Sequence, residues 1–252
     1  MFTKLLAKSA AVSAAVGTTL ALSLVSSPAM VTAAPEIRTV ACDDYAAERQ
    51  TTTTLELSRA AGQYGAINRA TATVTDGDAT PTGSVRFTVY DKTSGAVTPA
   101  GTDALDANGQ ATVRLSRYLR ANRTYMVTAN YRPSDSCEFQ PSDAEAMFYT
   151  VYKRTTSTSV DAPARRAGQR PVVSVTVNAY FPERLAGRAK IVITKKGQGK
   201  ALRGRIVRLN DRAATVSFKR LRPGVYTAKV RYTGNVNYAA SSGADNFRVF
   251  RR

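Results

Sequence analysis

The residues that could do chemistry in this chain are few, because its 252 residues include no histidine. Without histidine the chain lacks the usual general base, the Ser-His catalytic triad and His-ligated metal sites. Serine and lysine are plentiful enough for a Ser-Lys dyad, but no flanking motif singles out one pair. We therefore expect a protein that is not an enzyme and that uses no cofactor.

One short acidic segment, Asp76-Gly77-Asp78, could contribute hard oxygen ligands to a calcium site together with Asp103 or Asp106. Asp and Gly are also the residues that tight turns select for their backbone dihedral angles. The second half of the chain has nothing comparable. A turn is the favoured interpretation, and no metal site is expected.

Positive charge is the unusual feature of the sequence, and it lies in one half. Residues 153–252 carry 23 Lys and Arg against four Asp and Glu, whereas residues 51–152 carry nine against ten. A basic surface of this density attracts polyanions by counterion release, with an affinity that falls as salt rises. The alternative is a solvated surface that only aids solubility, although a general compositional bias would have made both halves basic.

The elements that must position these cations are β-strands. In residues 226–232 four apolar residues alternate with Thr227, Lys229 and Arg231, which is the period of a strand with one buried and one solvated face. Residues 125–131 show the same pattern. Short strands separated by turn signals such as Asn108-Gly109, with no credible amphipathic helix, predict an all-β sandwich.

The order of strand and turn patterns occurs twice, about 100 residues apart. We therefore predict two tandem sandwich domains, a near-neutral one at residues 51–152 and a strongly basic one at residues 153–252. The connection near Tyr152–Thr155 is very short, so we expect limited hinge motion between them.

Comparison of the two halves predicts which cations share a surface. On strands of one predicted sheet, the outward Arg86, Thr88, Thr128 and Asn130 become Lys190, Val192, Lys229 and Arg231. Arg248 is expected beside these cations on the last strand.

Further cations are expected around the next hairpin. Counting back without gaps from Asn108 and Asn210, Asp103 and Asp106 become Arg205 and Arg208, which would be two charge inversions. A flexible basic loop contains Lys195, Lys196 and Lys200, and Arg203 lies beside it. These four residues complete the candidate polyanion-binding set.

Several motifs carry a resemblance to a known family. Leu221-Arg222-Pro223-Gly224-Val225-Tyr226 resembles the tyrosine corner of immunoglobulin-type sandwiches, in which the Tyr hydroxyl bonds back across the turn, and Tyr125 takes the same place in the first half. Both halves resemble the group 3 bacterial immunoglobulin-like domain through residues 53–55, 81–87, 108–112 and 232–242.

This resemblance covers residues 51–250 and implies two tandem immunoglobulin-like antiparallel β-sandwiches. It also implies an exported or surface protein of actinobacterial type, acting as a stalk, spacer or adhesion module. The fold by itself names no ligand. The first half departs from the pattern where Ser136-Cys137-Glu138-Phe139 replaces the expected Asn-x-Asn-Tyr.

Residues 1–33 read as a signal peptide. Lys4 and Lys8 precede a short apolar run, and Val31-Thr32-Ala33 supplies the small residues of a cleavage site, with Ser27-Pro28-Ala29 as a second possibility. Lipidation at Cys42 is a weaker alternative, because anchors need an apolar lead-in. Residues 34–50 form a polar lead-in, and no other apolar run reaches the roughly 20 residues of a membrane span.

Two cysteines in an exported chain predict one disulfide, between Cys42 and Cys137, with two free thiols as the alternative. Cys42 precedes the first strand, and Cys137 follows the Tyr131 strand in a loop that this topology places at the same end.

We therefore expect a secreted, extracellular, non-catalytic binding or adhesion module. Its basic half would bind an anionic cell-envelope polymer or another extracellular polyanion, which would attach it non-covalently to the cell wall. The alternatives are a passive spacer, or a module that recognises a protein partner through its loops or a free strand edge. The sequence leaves the oligomeric state open.

Overall fold

The computed structural model describes residues 49–183 and 185–251, and in these residues it contains seventeen β-strands and no helix. The all-β prediction is confirmed. The predicted signal peptide and Cys42 lie outside the described residues. Within those residues, no helix has the length and apolar character needed to cross a membrane.

The first nine strands form two sheets, which we call the first sandwich. One sheet has the order β1-β3-β6, and the other has the order β2-β9-β7-β4-β5 with β8 paired to β7. The strands are β1 (Thr52–Leu57), β2 (Ala61–Gln63), β3 (Arg69–Thr75), β4 (Gly83–Asp91), β5 (Val97–Ala104), β6 (Gln110–Arg114), β7 (Arg123–Pro133), β8 (Ser142–Asp143) and β9 (Met147–Tyr152).

The remaining strands form the second sandwich, with sheets β10-β12-β15 and β11-β17-β16-β13-β14. Its strand order therefore follows that of the first sandwich. The strands are β10 (Ser157–Asp161), β11 (Arg165–Arg166), β12 (Val172–Asn178), β13 (Arg188–Lys195), β14 (Ala201–Arg208), β15 (Ala213–Ser217), β16 (Gly224–Tyr232) and β17 (Ser241–Phe250).

Three short strands, β2, β8 and β11, were not predicted. β2 pairs in parallel with β9, and β11 pairs in parallel with β17. At the start of each sandwich the chain therefore passes from an edge strand of one sheet, β1 or β10, to an edge strand of the other, β2 or β11. A strand of two or three residues carries too little alternation to be recognised from its pattern.

Strand β16 has the predicted alternation. Its inward residues Tyr226, Ala228, Val230 and Tyr232 are at most 2% exposed, whereas Lys229 and Arg231 face solvent. The Tyr226 hydroxyl donates to the carbonyl oxygen of Arg222 at 2.7 Å, which is the hydrogen bond of a tyrosine corner. Burial raises the pKa of the Tyr226 hydroxyl.

The first sandwich contains the equivalent bond. The Tyr125 hydroxyl donates to the carbonyl oxygen of Arg120 at 3.1 Å. Burial is again the main factor that raises the pKa of this tyrosine. Each corner ties the turn before a central strand to the core beneath it.

Replacing Tyr226 by Phe is expected to lower the free energy of unfolding by about 1 to 2 kcal/mol, because the Arg222 carbonyl loses its buried donor while the ring is retained. Urea unfolding followed by circular dichroism measures the change. Tyr152→Phe is the matched control, because Tyr152 is 56% exposed and should not shift the midpoint. Equal midpoints for the parent and Tyr226→Phe would contradict the role of the corner.

An aromatic cluster joins the two sandwiches. Tyr64, which follows β2, packs edge-on against Phe181 and Tyr238 of the second sandwich, with ring centroids 5.6 and 5.5 Å apart. The Arg117 guanidinium lies 4.3 Å from the centroid of the Phe181 ring. All three aromatic side chains are at most 4% exposed, so the junction is a small core that spans both sandwiches.

Polar contacts reinforce this junction. The Arg154 Nε, in the short connection, donates to the Tyr64 carbonyl oxygen at 2.7 Å, and the Tyr238 hydroxyl bonds the Phe181 carbonyl oxygen at 2.6 Å. Burial, together with the nearby Tyr64 and Tyr232 hydroxyls, raises the pKa of Tyr238 to about 12. The short connection, from which limited hinge motion is expected, is thus accompanied by a packed interface between the two sandwiches.

The chain enters the first sandwich beside the loop that carries Cys137. Arg49 forms a parallel bridge with Phe139, and the Gln140 amide donates to the Arg49 carbonyl oxygen at 2.9 Å. Because Cys42 lies outside the described residues, the disulfide stays a prediction.

The acidic segment considered for calcium is used locally. One Asp76 carboxylate oxygen accepts the amides of Asp78 and Ala79, at 3.1 and 2.7 Å, and the other is 2.6 Å from Arg49 Nε. Asp103 accepts the Thr112 amide at 2.8 Å, and Asp106 accepts amides of its own hairpin. In the part of the chain that the structure describes, these carboxylates make separate hydrogen bonds and do not converge into a metal-binding cluster.

Candidate functional site

The outward face of the sheet β17-β16-β13-β14 carries a compact group of cations. Lys190 of β13 stands directly opposite Arg231 of β16, and Arg188 stands directly opposite Arg208 of β14. Lys229 lies two residues before Arg231 on the same face. We call these five exposed residues, Arg188, Lys190, Arg208, Lys229 and Arg231, the outer basic face.

Two like-charge pairs on neighbouring positions are unfavourable for folding. Directly opposed residues have Cα atoms about 5 Å apart, and like charges in that arrangement destabilise a sheet. The four Asp and Glu of the described second sandwich, Asp161, Glu183, Asp211 and Asp245, lie elsewhere. Glu183 accepts the Tyr118 hydroxyl, and Asp245 accepts the Ala162 amide at 2.8 Å. No described carboxylate therefore neutralises the outer basic face.

A shallow groove of about 690 Å³ crosses this face. Lys190, Lys229 and Arg231 line it together with the small or apolar Val192 and Ala244. An open groove with cations at its side and small residues beneath can admit an extended chain without demanding one side-chain shape. This shape suits a linear polymer better than a compact ligand.

The corresponding face of the first sandwich is almost neutral. By position in the strand ladders, the five cations of the outer basic face correspond to Ser84, Arg86, Ala104, Thr128 and Asn130. Asn130 donates to Asp143 at 2.6 Å, so an acidic residue lies on this surface as well. The two sandwiches thus share a backbone and differ in the charge of this face.

The predicted charge inversions are wrong. The Leu105 amide donates to Gly83, and the Leu209 amide donates to Gly187, which makes the two leucines equivalent. Counted from them, Arg208 corresponds to Ala104 and Val207 to Asp103. The hairpin closes from Asp106 to Gln110 in the first sandwich but from Asn210 to Ala213 in the second. Because the second loop is one residue shorter and Asn210 is equivalent to Asp106, an ungapped alignment of Asn108 with Asn210 pairs the wrong residues.

Arg205 and Arg208 consequently lie on opposite sides of β14. Arg208 belongs to the outer basic face. Arg205 stands opposite the buried Ile191, and its Nη1 donates to the Ser217 carbonyl oxygen at 3.1 Å. Arg203, opposite Ile193, lies on the same side as Arg205.

Arg248 does not lie beside Lys229 and Arg231. It is exposed on β17 opposite Val225, six residues from Ser242, which is the partner of Arg231. That spacing along a strand corresponds to about 20 Å. The Arg248 guanidinium instead lies 5.6 Å from the centroid of the Phe250 ring.

Of the three predicted loop lysines, Lys195 is the last residue of β13, and Lys196 and Lys200 follow it. Lys195 is half-buried opposite Tyr226, while Lys196 and Lys200 are exposed in the connection to β14. Gly199 of this loop lines the groove, so the loop borders the outer basic face. The sequence comparison missed Arg188. Its position two residues before Lys190 on the same strand would have predicted that it faces outward.

Replacing Arg208 by Glu is expected to raise the free energy of unfolding by about 0.5 kcal/mol at low salt, because a repulsive pair with Arg188 becomes an attractive one. The gain should disappear in high salt, which screens exposed charges. Thermal unfolding at two salt concentrations measures it, with Arg220→Glu as a control outside the ladder. A loss of stability at low salt would contradict the pairing.

The comparisons with known proteins concern the fold. Residues 53–152 match the family model of the bacterial Ig-like domain (group 3), so the match covers nearly the whole first sandwich and less than half of the chain. Domains of this family are generally not enzymes. None of the curated proteins matches the chain.

Three solved structures are distantly similar. A DUF4785 family protein from Legionella pneumophila has 15% identity and a TM-score of 0.36, with 78% of this chain and 55% of that one covered. The FN1–FN3 domains of chicken CNTN1 have 12% identity and a TM-score of 0.32, with 79% and 65% covered. Red sea bream transglutaminase has 12% identity and a TM-score of 0.34, with 79% and 31% covered. The chain thus spans less than two thirds of each.

Proposed function

We propose that this protein is an exported, non-catalytic immunoglobulin-like module that the outer basic face holds on an anionic polymer of the cell envelope. In this proposal the chain is a tandem repeat of actinobacterial type, and the first sandwich acts as a near-neutral spacer. The packed junction at Tyr64, Phe181 and Tyr238 supports a rigid connection between the two parts.

The observation that carries the proposal is that two pairs of cations stand directly opposite each other, Lys190 with Arg231 and Arg188 with Arg208. Such pairs cost stability in the free protein, and a polyanion would relieve the cost on binding. The same ladder positions in the first sandwich hold Ser84 opposite Ala104 and Arg86 opposite Asn130, so the fold itself does not require opposed cations there.

A second candidate function is recognition of a protein partner by strand addition. β14 is the last strand of its sheet, and its Ile206 is 67% exposed beside the outer basic face. An unpaired strand edge can accept an extended segment of another protein. A purely passive spacer would use neither feature.

Binding to cell walls with and without their anionic polymers separates these functions. The chain lacking residues 1–33 is mixed with isolated Gram-positive walls and with the same walls after extraction of the polymers. We expect sedimentation with the native walls, release by salt, and little sedimentation with the stripped walls. Equal binding to both preparations, or binding that salt does not release, would contradict the proposal.

A further inference from the structure

A second basic site lies at the open side of the second sandwich, between β14 and β15. It is a cleft of about 440 Å³, a volume within the range of small-ligand sites. Four cations from three segments line the cleft: Arg170, Arg203, Arg205 and Lys219. Gly204, Ser217 and Phe218 complete its lining. We infer that this cleft is a phosphate-binding site, separate from the outer basic face.

The separation follows from the strand register. Arg203 and Arg205 stand opposite the core residues Ile193 and Ile191, whereas the outer basic face uses the other side of the same sheet. Arg170 precedes β12, and Lys219 follows β15, so both belong to the opposing sheet and its loops. The cations therefore approach the cleft from both walls of the sandwich.

The donors of the cleft are partly held in place. Arg205 Nη1 donates to the Ser217 carbonyl oxygen at 3.1 Å, and Arg203 Nη1 donates to the Leu202 carbonyl oxygen at 2.9 Å. Each guanidinium keeps further N–H donors for a ligand. Planar guanidinium groups bind phosphate through paired hydrogen bonds, which makes arginine the preferred residue for this group.

No anion of the described protein satisfies these donors. Among the described residues, no carboxylate lines the cleft, and none of the ion pairs involves Arg170, Arg203 or Arg205. Four cations around one cleft repel one another unless a counter-charge is present. A phosphate group of a ligand would supply that charge.

The test measures thermal unfolding of the chain lacking residues 1–33 in increasing inorganic phosphate at constant ionic strength. A ligand that binds only the folded state raises the unfolding temperature to an extent set by its affinity. We expect a saturable rise in the parent and in the outer-face variant Lys190→Glu/Lys229→Glu/Arg231→Glu. The double variant Arg203→Gln/Arg205→Gln should lose phosphate affinity by at least about tenfold, the factor of one good charge-assisted hydrogen bond.

Three further arms complete the design. Lys219→Gln, a change of one exposed side chain, should weaken binding without altering the fold. The two polymer probes are added to the outer-face triple variant, so that the outer basic face does not contribute to the response. Poly(glycerol phosphate) tests an internal phosphodiester: a response to this polymer alone would assign the site to polymer phosphate, and a response to both phosphate probes to phosphate groups in general. Polyglutamate tests the carboxylate alternative.

The inference is overturned if neither phosphate probe gives a saturable rise, if polyglutamate matches them, or if the cleft and outer-face variants lose the response equally. If the chain lacking residues 1–33 bound phosphate but did not bind native walls, the proposed function would be contradicted and the phosphate site would stand.

Discussion

Reversing the charge of Lys190, Lys229 and Arg231 to glutamate is expected to release the protein from heparin at low salt and to lower its affinity by at least about 100-fold. The three residues line one groove, so the change removes three attractive contacts and adds three repulsive ones at the same place. The expected effect is larger than a net charge change alone would give.

The matched control changes Arg220, Arg222 and Arg251 to glutamate. These residues are exposed in the second sandwich, lie outside the outer basic face, and give the same change of formal charge. We expect the control to elute close to the parent, with circular dichroism showing that both variants are folded. Equal loss of retention in the two variants would mean that net charge, and not the outer basic face, binds heparin.

Replacing Phe181 by Ala is expected to lower the free energy of unfolding by about 3 to 5 kcal/mol, the range for removing a buried aromatic ring. Phe181 is 4% exposed and contacts the rings of Tyr64 and Tyr118. Gly65 packs so closely that a Cβ atom there would lie 2.1 Å from the Phe181 ring. The cavity would therefore open at the junction of the two sandwiches.

Urea unfolding tests this expectation, with Tyr180→Ala as the control because Tyr180 is the adjacent residue and is 87% exposed. Loss of the junction should also separate one cooperative transition into two, since each sandwich has its own sheets. Identical midpoints for Phe181→Ala and Tyr180→Ala would show that the aromatic cluster does not stabilise the junction.

The fold was accessible from the sequence because its signals are local. Alternation over residues 226–232 predicts β16 and its buried face, and that period also places Lys229 and Arg231 outward. The junction was not accessible in this way. The contacts of Tyr64 with Phe181 and Tyr238 join residues more than a hundred positions apart, and periodicity does not report contacts at that separation.

The candidate site was predicted in part for the same reason. Lys190, Lys229 and Arg231 follow from strand period alone, whereas Arg208 was placed by counting across a hairpin whose loop is shorter in the second sandwich. The cleft that contains Arg170 and Lys219 needs the packing of two sheets, which no single strand pattern contains. Errors thus arose where a residue's place depends on loop length or on sheet packing.

The most direct test of the central claim is the salt dependence of binding to a fluorescent oligothymidylate, measured for the parent and for the Lys190, Lys229 and Arg231 triple glutamate variant. If three to five cations of the outer basic face contact phosphates, the logarithm of the parent's association constant should fall against the logarithm of salt with a slope of about −2 to −4. The variant keeps Arg188 and Arg208 but loses three contacts, so its slope should be smaller in magnitude by about 2. A parent without salt dependence, or a variant with the parent's slope, would contradict the assignment of the outer basic face as the polyanion-binding surface.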